Sequence, residues 1–148
     1  NFSNIKKIIY LDAVPNLYVG TEYLKSFYGD QVKDYLSLKN KDKLSFSDNN
    51  DLEILCIPPW KIENLVGNID YFHNAHSFVE MPKEVVKNYC KYIKKLEISK
   101  ISLLSYNGYD QNTFDPEILN NFFDKNLTMK WHDNLIYDEN KTLFFNSK

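Results

Sequence analysis

The feature that most constrains the fold is a series of short apolar runs that alternate with segments of helical periodicity. The clearest runs are KKIIYLD, which ends at Asp12, LEILCIPP, which ends at Pro59, and KISLLSY, which begins at Lys100. Continuous apolar runs of this length are typical of strands in a parallel sheet, where both faces are buried. Strands that alternate with helices require right-handed crossover connections. The pattern therefore predicts an α/β fold with a mostly parallel sheet. In it we expect the strand ending at Asp12 to lie beside the strand ending at Pro59, and the strand beginning at Lys100 to lie beside one that begins near Ile69.

Three helices are predicted between and after these runs. Pro15 suits the first turn of a helix that runs to about Tyr28, where Gly29 ends it. The apolar positions of this helix are Leu17, Thr21, Leu24 and Tyr28. The clearest helix opens at Pro82, and its apolar positions are Val85, Val86, Tyr89, Cys90, Ile93 and Leu96. Asp115 and Pro116 form an N-cap and first-turn pair for a third helix, through Phe123.

The remaining segments complete the predicted topology. The polar stretch 30–51 is interpreted as a long surface connection. After a short helix or turn around Trp60–Val66, IDYFHNAHSF begins near Ile69 and predicts another strand buried on both faces. Near the end of the chain, LTMKWHDNLI and TLFF are strand-like and are separated by the turn-rich YDENK. This arrangement predicts an antiparallel hairpin.

Composition narrows the class of protein. The 148 residues suit one domain, and 43% hydrophobic with 26% charged residues is typical of a globular chain. All eighteen basic residues are lysine, which argues against dedicated nucleic-acid recognition because arginine is the usual bidentate ligand of guanine and phosphate. No run approaches the roughly 18 to 20 apolar residues of a membrane span. We expect a cytoplasmic protein in which Cys56 and Cys90 are small core residues.

Two stretches carry a resemblance to a known family. They are Ile8–Gly29 and Cys56–Ile93, and the second contains Asp70, Asn74, Ser77, Phe78, Glu80 and Met81, with Tyr89 matching more loosely. These residues resemble the sugar O-methyltransferase family of class I S-adenosylmethionine-dependent methyltransferases. The resemblance covers nearly the whole chain. It implies a Rossmann-like, mostly parallel sheet with helices on both faces and a C-terminal antiparallel hairpin, S-adenosylmethionine as cofactor, and methyl transfer to a sugar hydroxyl.

The glycine-rich loop of that family has no counterpart in the chain. In the alignment with the family, the strand ending at Asp12 is the second strand of the fold, so the loop falls before Asn1. DAVPNLYVG contains no GxG, and Gly20 stands alone in a predicted helix. We therefore expect residues 1–148 to be a single Rossmann-like domain without the segment that holds the methionine end of the cofactor.

The residues predicted to bind the cofactor follow two strands. Asp12 ends its strand at the carboxyl edge, where open α/β sheets bind ligands, and its carboxylate can accept both ribose hydroxyls, a role that the resemblance also implies. The alternative is an acidic N-cap of the next helix. The resemblance assigns Ile57, Pro58 and Trp60 to an apolar wall beside the adenine, with Trp60 also a candidate for substrate binding. Ordinary core and turn positions are the alternative for these three.

The residues predicted to carry the chemistry follow the next strand. The resemblance places Asn74, His76 and Ser77 beside the transferred methyl group, with Asn74 on the cofactor and Ser77 on the substrate. His76 is the preferred general base because imidazole ordinarily titrates near neutral pH, and Glu80 is the alternative. His76 can equally be structural, a hydrogen-bond donor or an exposed loop residue, and Glu80 also suits a helix N-terminus. The three histidines lack metal-ligand spacing, so no metal is expected.

Three functions remain open from the sequence. The first is an O-methyltransferase with a small-molecule or glycan acceptor such as a surface-glycan precursor. The second is a non-catalytic α/β module that binds a nucleotide-like ligand or a protein partner, which the missing glycine loop favours. The third is the nucleotide-sugar-binding half of a glycosyltransferase. The sequence does not determine the oligomeric state.

Overall fold

The computed structural model describes residues 4–106, 119, 121–133 and 137–147. The chain divides into two compact units, Asn1–Gly67 and Asn68–Lys148. The described strands form one sheet in each unit, with two parallel pairs in the first sheet and one in the second. This mixture of helices with parallel strands confirms the predicted α/β class.

The first unit is built on a three-stranded parallel sheet. Its elements are β1 (Lys7–Leu11), α1 (Asn16–Tyr28), β2 (Val32–Lys33), α2 (Tyr35–Leu38) and β3 (Glu53–Ile57), with a 3₁₀ turn at Pro59–Asn64. The strand order is β1-β3-β2, with Tyr10 opposite Cys56. The parallel pairing of the strand ending near Asp12 with the strand inside Leu52–Pro59 is the pairing that the sequence predicted.

Helix α1 covers one face of this sheet. Leu17 packs with Val32, Ile54 and Cys56 in a buried cluster. The helix ends at Gly29, whose φ of 52° favours glycine. Tyr28, predicted on the apolar face, is instead 44% exposed. The buried residues of α1 are Leu17 and Thr21, so its first half provides the face that packs on the sheet.

The long surface connection predicted over 30–51 also contains regular secondary structure, which the sequence did not predict. The segment contains β2 and α2, and the Asp34 carboxylate caps α2 by accepting a hydrogen bond from the Ser37 backbone N–H at 2.9 Å. Leu38 and Leu44 are buried. These apolar residues stand singly among polar ones, so they anchor short elements to the sheet without producing a periodic pattern.

The second unit contains a four-stranded mixed sheet. Its elements are β4 (Tyr71–Ala75), a 3₁₀ turn at Ser77–Glu80, α3 (Lys83–Lys95), β5 (Lys100–Tyr106), β6 (Phe123–Asp133) and β7 (Tyr137–Ser147). The strand order is β4-β5-β7-β6. Strands β4 and β5 pair in parallel, as predicted, whereas β7 is antiparallel to both β5 and β6. Residues 134–136, which join β6 to β7, lie outside the described residues.

Two predictions for the end of the chain need correction. YDENK, expected to be a turn, forms the first part of β7, where Asn140 and Lys141 pair with β5. Pairing with a strand on each side outweighs the weak strand propensity of these polar residues. The predicted helix from Asp115 lies mostly outside the described residues, but Phe123 already belongs to β6.

Burial in the second unit differs from the prediction on β4. Tyr71, His73 and Ala75 are exposed, so β4 is not buried on both faces, and it is shorter than IDYFHNAHSF. Alternate side chains of a strand leave opposite faces, and only the face bearing Phe72 is partly covered here.

Helix α3 confirms most of its predicted apolar face. Val86, Tyr89, Cys90, Ile93 and Leu96 are buried, but Val85 is 41% exposed. Cys90, like Cys56 of the first unit, is a free and fully buried thiol, as predicted for core positions. In the part of the chain that the structure describes, no helix has the length and apolar character of a membrane span.

Candidate functional site

Asp12 lies at the carboxyl edge of the first sheet. It directly follows β1, and its backbone N–H donates to the Ile57 carbonyl oxygen at the end of β3, at 3.3 Å. This bond continues the ladder between the two parallel strands by one residue. Asp12 and Ile57 therefore share the sheet edge at which α/β proteins bind ligands, as the sequence predicted.

The carboxylate of Asp12 is fixed by two donors from its own unit. Oδ1 accepts from the Ala13 backbone N–H at 2.8 Å, and Oδ2 accepts from the Tyr10 hydroxyl at 2.9 Å. The N-cap of α1 is Pro15, which has no side-chain cap, so the alternative role of Asp12 as N-cap is wrong. An ionised carboxylate offers about four acceptor positions. Each oxygen of Asp12 thus has capacity for a further donor, such as a ligand hydroxyl.

The apolar residues after β3 differ in exposure. Ile57 and Pro58 are fully buried, as their alternative role as core residues requires. Trp60 lies in the following 3₁₀ turn and is 57% exposed, with its ring in edge contact with Tyr35 at a centroid distance of 6.3 Å. Of the three residues predicted to line an adenine site, Trp60 is the one that offers a surface to a ligand.

The segment after β4 contains an unusual backbone. His76 has φ 64° and ψ −25°, in the left-handed region, and its backbone N–H donates to the Leu104 carbonyl oxygen at 2.8 Å. A non-glycine residue with positive φ is uncommon, and such residues cluster at functional sites. The half-buried His76 is thus held in a costly conformation at the carboxyl end of β4.

Asn74 and Ser77 brace this segment. The Asn74 side chain accepts from the Phe78 backbone N–H at 3.1 Å through Oδ1 and donates to the Ser77 hydroxyl through Nδ2. Phe78 is 3% exposed, and its ring contacts Phe72 and Tyr89 at 5.8 and 5.5 Å. The side chains of Asn74 and Ser77 therefore shape the turn around His76, while Glu80, at the end of the turn, is exposed.

A second polar cluster on β4 and β5 was not predicted. The buried Ser102 hydroxyl lies 2.7 Å from Nδ1 of His73 and also contacts the Tyr71 hydroxyl. His73 and Ser102 are register partners, so only the strand alignment brings them together. The cluster provides hydrogen-bond partners for the buried Ser102 hydroxyl, which gives His73 a structural role. Across the described ranges, no three His, Cys, Asp or Glu residues are arranged to hold a metal ion.

One cavity of the first unit lies apart from the predicted site residues. It has a volume of about 260 Å³, and its lining includes Lys33, Leu44 and Glu53, the first residue of β3. None of the site residues predicted from the sequence lines this cavity. The cavity therefore contains none of the residues to which the sequence assigns chemistry.

Comparisons with known proteins relate the chain to others through its fold. No family model matches the chain, and no curated protein gives a significant match. Among solved structures, it is similar to the PH0226 protein from Pyrococcus horikoshii OT3, with a TM-score of 0.52 and 11% sequence identity, over 98% of this chain and 84% of that one. At this identity the similarity is one of fold alone. The chain has a Rossmann-like α/β fold that it shares, at a distance, with that protein.

Proposed function

We propose that the chain is part of an S-adenosylmethionine-dependent O-methyltransferase of the cytoplasm that methylates a sugar hydroxyl, such as one on a surface-glycan precursor. The observation that carries the proposal is the carboxylate of Asp12, which lies at the carboxyl edge of the sheet with acceptor capacity to spare. The α/β fold supports it. The sugar acceptor rests on the sequence resemblance alone.

The residues of the first unit fit the nucleoside part of the cofactor. A ribose presents two neighbouring hydroxyls, and the two oxygens of Asp12 would each accept one of them. The exposed ring of Trp60 would offer an apolar surface to the adenine, backed by the buried Ile57 and Pro58. When bound, the cofactor would supply an activated methyl group.

In the proposal, the second unit would supply the residues that act on the acceptor. Methyl transfer to a hydroxyl requires a group that takes up the hydroxyl proton. His76 would take this proton, and its fixed backbone would hold the imidazole in one orientation. Asn74 would maintain the turn, and Ser77 would contact the substrate. Glu80, which is exposed, is the alternative proton acceptor.

The direct test is a methyl-transfer assay on the full-length protein that carries this sequence. Formation of S-adenosylhomocysteine would be measured with free sugars, nucleotide sugars and glycan precursors as acceptors. We expect turnover with at least one class of sugar, and its loss in the His76→Ala variant. Binding of the cofactor without turnover on any acceptor would instead favour the non-catalytic nucleotide-binding module. Binding of a nucleotide sugar alone would favour the glycosyltransferase.

A further inference from the structure

We propose that Tyr10 is a positioning residue that orients the Asp12 carboxylate towards a ribose, and that Gly20 of α1 makes the room this requires. The inference rests on the proposed role of Asp12 in cofactor binding. It adds to that role two residues of the first unit, one on β1 and one on α1. Neither residue has a function in the sequence-based predictions.

The geometry starts from the spacing of Tyr10 and Asp12. Residues two apart on an extended chain leave the same face, so both side chains are directed to the face that α1 covers. The Tyr10 oxygen lies 2.9 Å from Oδ2 of Asp12 and 3.4 Å from the Asn16 carbonyl oxygen. A hydroxyl has one proton, and the shorter contact to a charged acceptor is the stronger one. Tyr10 therefore donates to Asp12.

Gly20 allows the Tyr10 ring to lie against the backbone of α1. A Cβ atom at Gly20 would lie 2.6 Å from both Cε1 and Cζ of Tyr10, far inside van der Waals contact. No other residue fits at this position unless the ring moves. A ring displaced from α1 would carry its hydroxyl away from Asp12. The glycine is thus a requirement of the Tyr10–Asp12 hydrogen bond.

The protonation of Tyr10 suits a permanent donor. Burial raises the pKa of Tyr10 to about 12, and the hydrogen bond and negative charge of Asp12 add to the effect. The phenol consequently keeps its proton throughout the physiological range. With Ala13 on Oδ1 and Tyr10 on Oδ2, the carboxylate is held at two points, so its remaining acceptor positions keep one direction.

The test compares a ligand that has the two ribose hydroxyls with one that lacks them. Adenosine and 2′,3′-dideoxyadenosine are titrated into the full-length protein in a calorimeter, and the ratio of the two affinities is the readout. We expect wild type to prefer adenosine and Asp12→Ala to lose the preference. Tyr10→Phe should reduce the ratio about 3- to 10-fold, the usual contribution of one hydrogen bond, without changing the dideoxyadenosine affinity. Tyr18→Phe, at a 68% exposed position, is the matched control and should leave the ratio unchanged.

The outcomes separate the two proposals. If wild type shows no preference for adenosine, or binds neither ligand, the ribose role of Asp12 is overturned. If Asp12→Ala loses the preference but Tyr10→Phe keeps it, only the positioning role is overturned. Equal weakening of both ligands in Tyr10→Phe would mean that Tyr10 is merely structural. Should that variant not fold, Gly20→Ala displaces the ring with its hydroxyl intact, and an unchanged ratio there would also refute the proposal.

Discussion

The close approach of Gly20 to the Tyr10 ring predicts how Gly20→Ala changes the stability of the protein. The sign of this change should depend on whether the ring is present. In the interior of an exposed helix, Gly→Ala stabilises by about 1 kcal/mol because the unfolded glycine has more conformational freedom. At Gly20 the added methyl group would meet two ring carbons of Tyr10 at 2.6 Å. Overpacking of this kind costs about 1 to 3 kcal/mol. Gly20→Ala should therefore lower the free energy of unfolding, by up to about 2 kcal/mol.

Removal of the Tyr10 ring should make Gly20→Ala stabilising instead of destabilising. In a Tyr10→Val background the obstruction is absent and strand propensity is kept, so Gly20→Ala should stabilise by about 1 kcal/mol. The resulting coupling energy of about 1 to 3 kcal/mol is measurable in a double-mutant cycle. Urea unfolding followed by circular dichroism and by tryptophan fluorescence provides the four free energies.

A control substitution on the same helix separates the contact from general helix propensity. Ser26 is exposed, and its hydroxyl bonds to the Tyr23 carbonyl oxygen of its own helix. Ser26→Ala should have the same effect in the wild-type and Tyr10→Val backgrounds, because distant sites are additive. If Gly20→Ala stabilises the wild-type chain, or costs the same in both backgrounds, the ring does not lie against α1 as described.

Four further predictions concern the site and its charges. In the full-length protein, His76→Ala should lower kcat by a factor on the order of 10² to 10⁴ with little change in cofactor affinity, and a near-normal kcat from pH 6 to 9 would transfer the base to Glu80 or another residue. Asp12→Asn should instead act mainly on cofactor binding and raise the Kd of the cofactor, as measured by calorimetry. The 148-residue chain alone should bind S-adenosylmethionine weakly or not at all, and a micromolar Kd would show that the site is complete without the glycine loop. Hydrogen bonds from Lys25 and the Ser37 backbone lower the pKa of Asp34. The stability that its charge contributes is therefore present above the ordinary pKa of the carboxyl group and is lost as pH falls through the lower, folded-state pKa. Asp34→Asn, which keeps the helix cap, should destabilise more at pH 7 than at pH 2 in urea unfolding.

Elements with long or continuous apolar patterns could be predicted from the sequence. β3 is covered on both faces, and four of its five residues, Ile54–Ile57, are buried, so an uninterrupted apolar run was enough to locate it. Helix α3 was equally clear because its polar lysines and its apolar residues fall on different faces. β2 and α2 were not predicted, because two and four residues are too few to show a strand or helix periodicity of apolar residues. Their structure depends on β3, with which β2 pairs and against which α2 packs.

The place of Asp12 at the sheet edge could be predicted from the sequence, but the conformations and hydrogen bonds around the predicted site residues could not. The end of an apolar strand located Asp12, because strands of a parallel sheet present ligand-binding residues at their carboxyl ends. His76 was instead located by the family resemblance. The left-handed backbone of His76 was not predicted, because positive φ is uncommon even for histidine and the local sequence does not mark it. Its hydrogen bond to Leu104 comes from a different strand.

Gly20 is the position where pattern-based reasoning necessarily fails. A glycine inside a helix is ordinarily a small defect, and nothing in its local sequence states which atoms need the space that its missing side chain leaves. Here those atoms belong to Tyr10, ten residues earlier on a different element. The consequence appears one step further, at a carboxylate that Gly20 does not touch. An aromatic residue can stand two residues before an acid at the end of a strand and lie against a glycine of the neighbouring helix. That glycine is then a candidate for maintaining the orientation of the acid. The ratio of adenosine to dideoxyadenosine affinity tests this role without an activity assay.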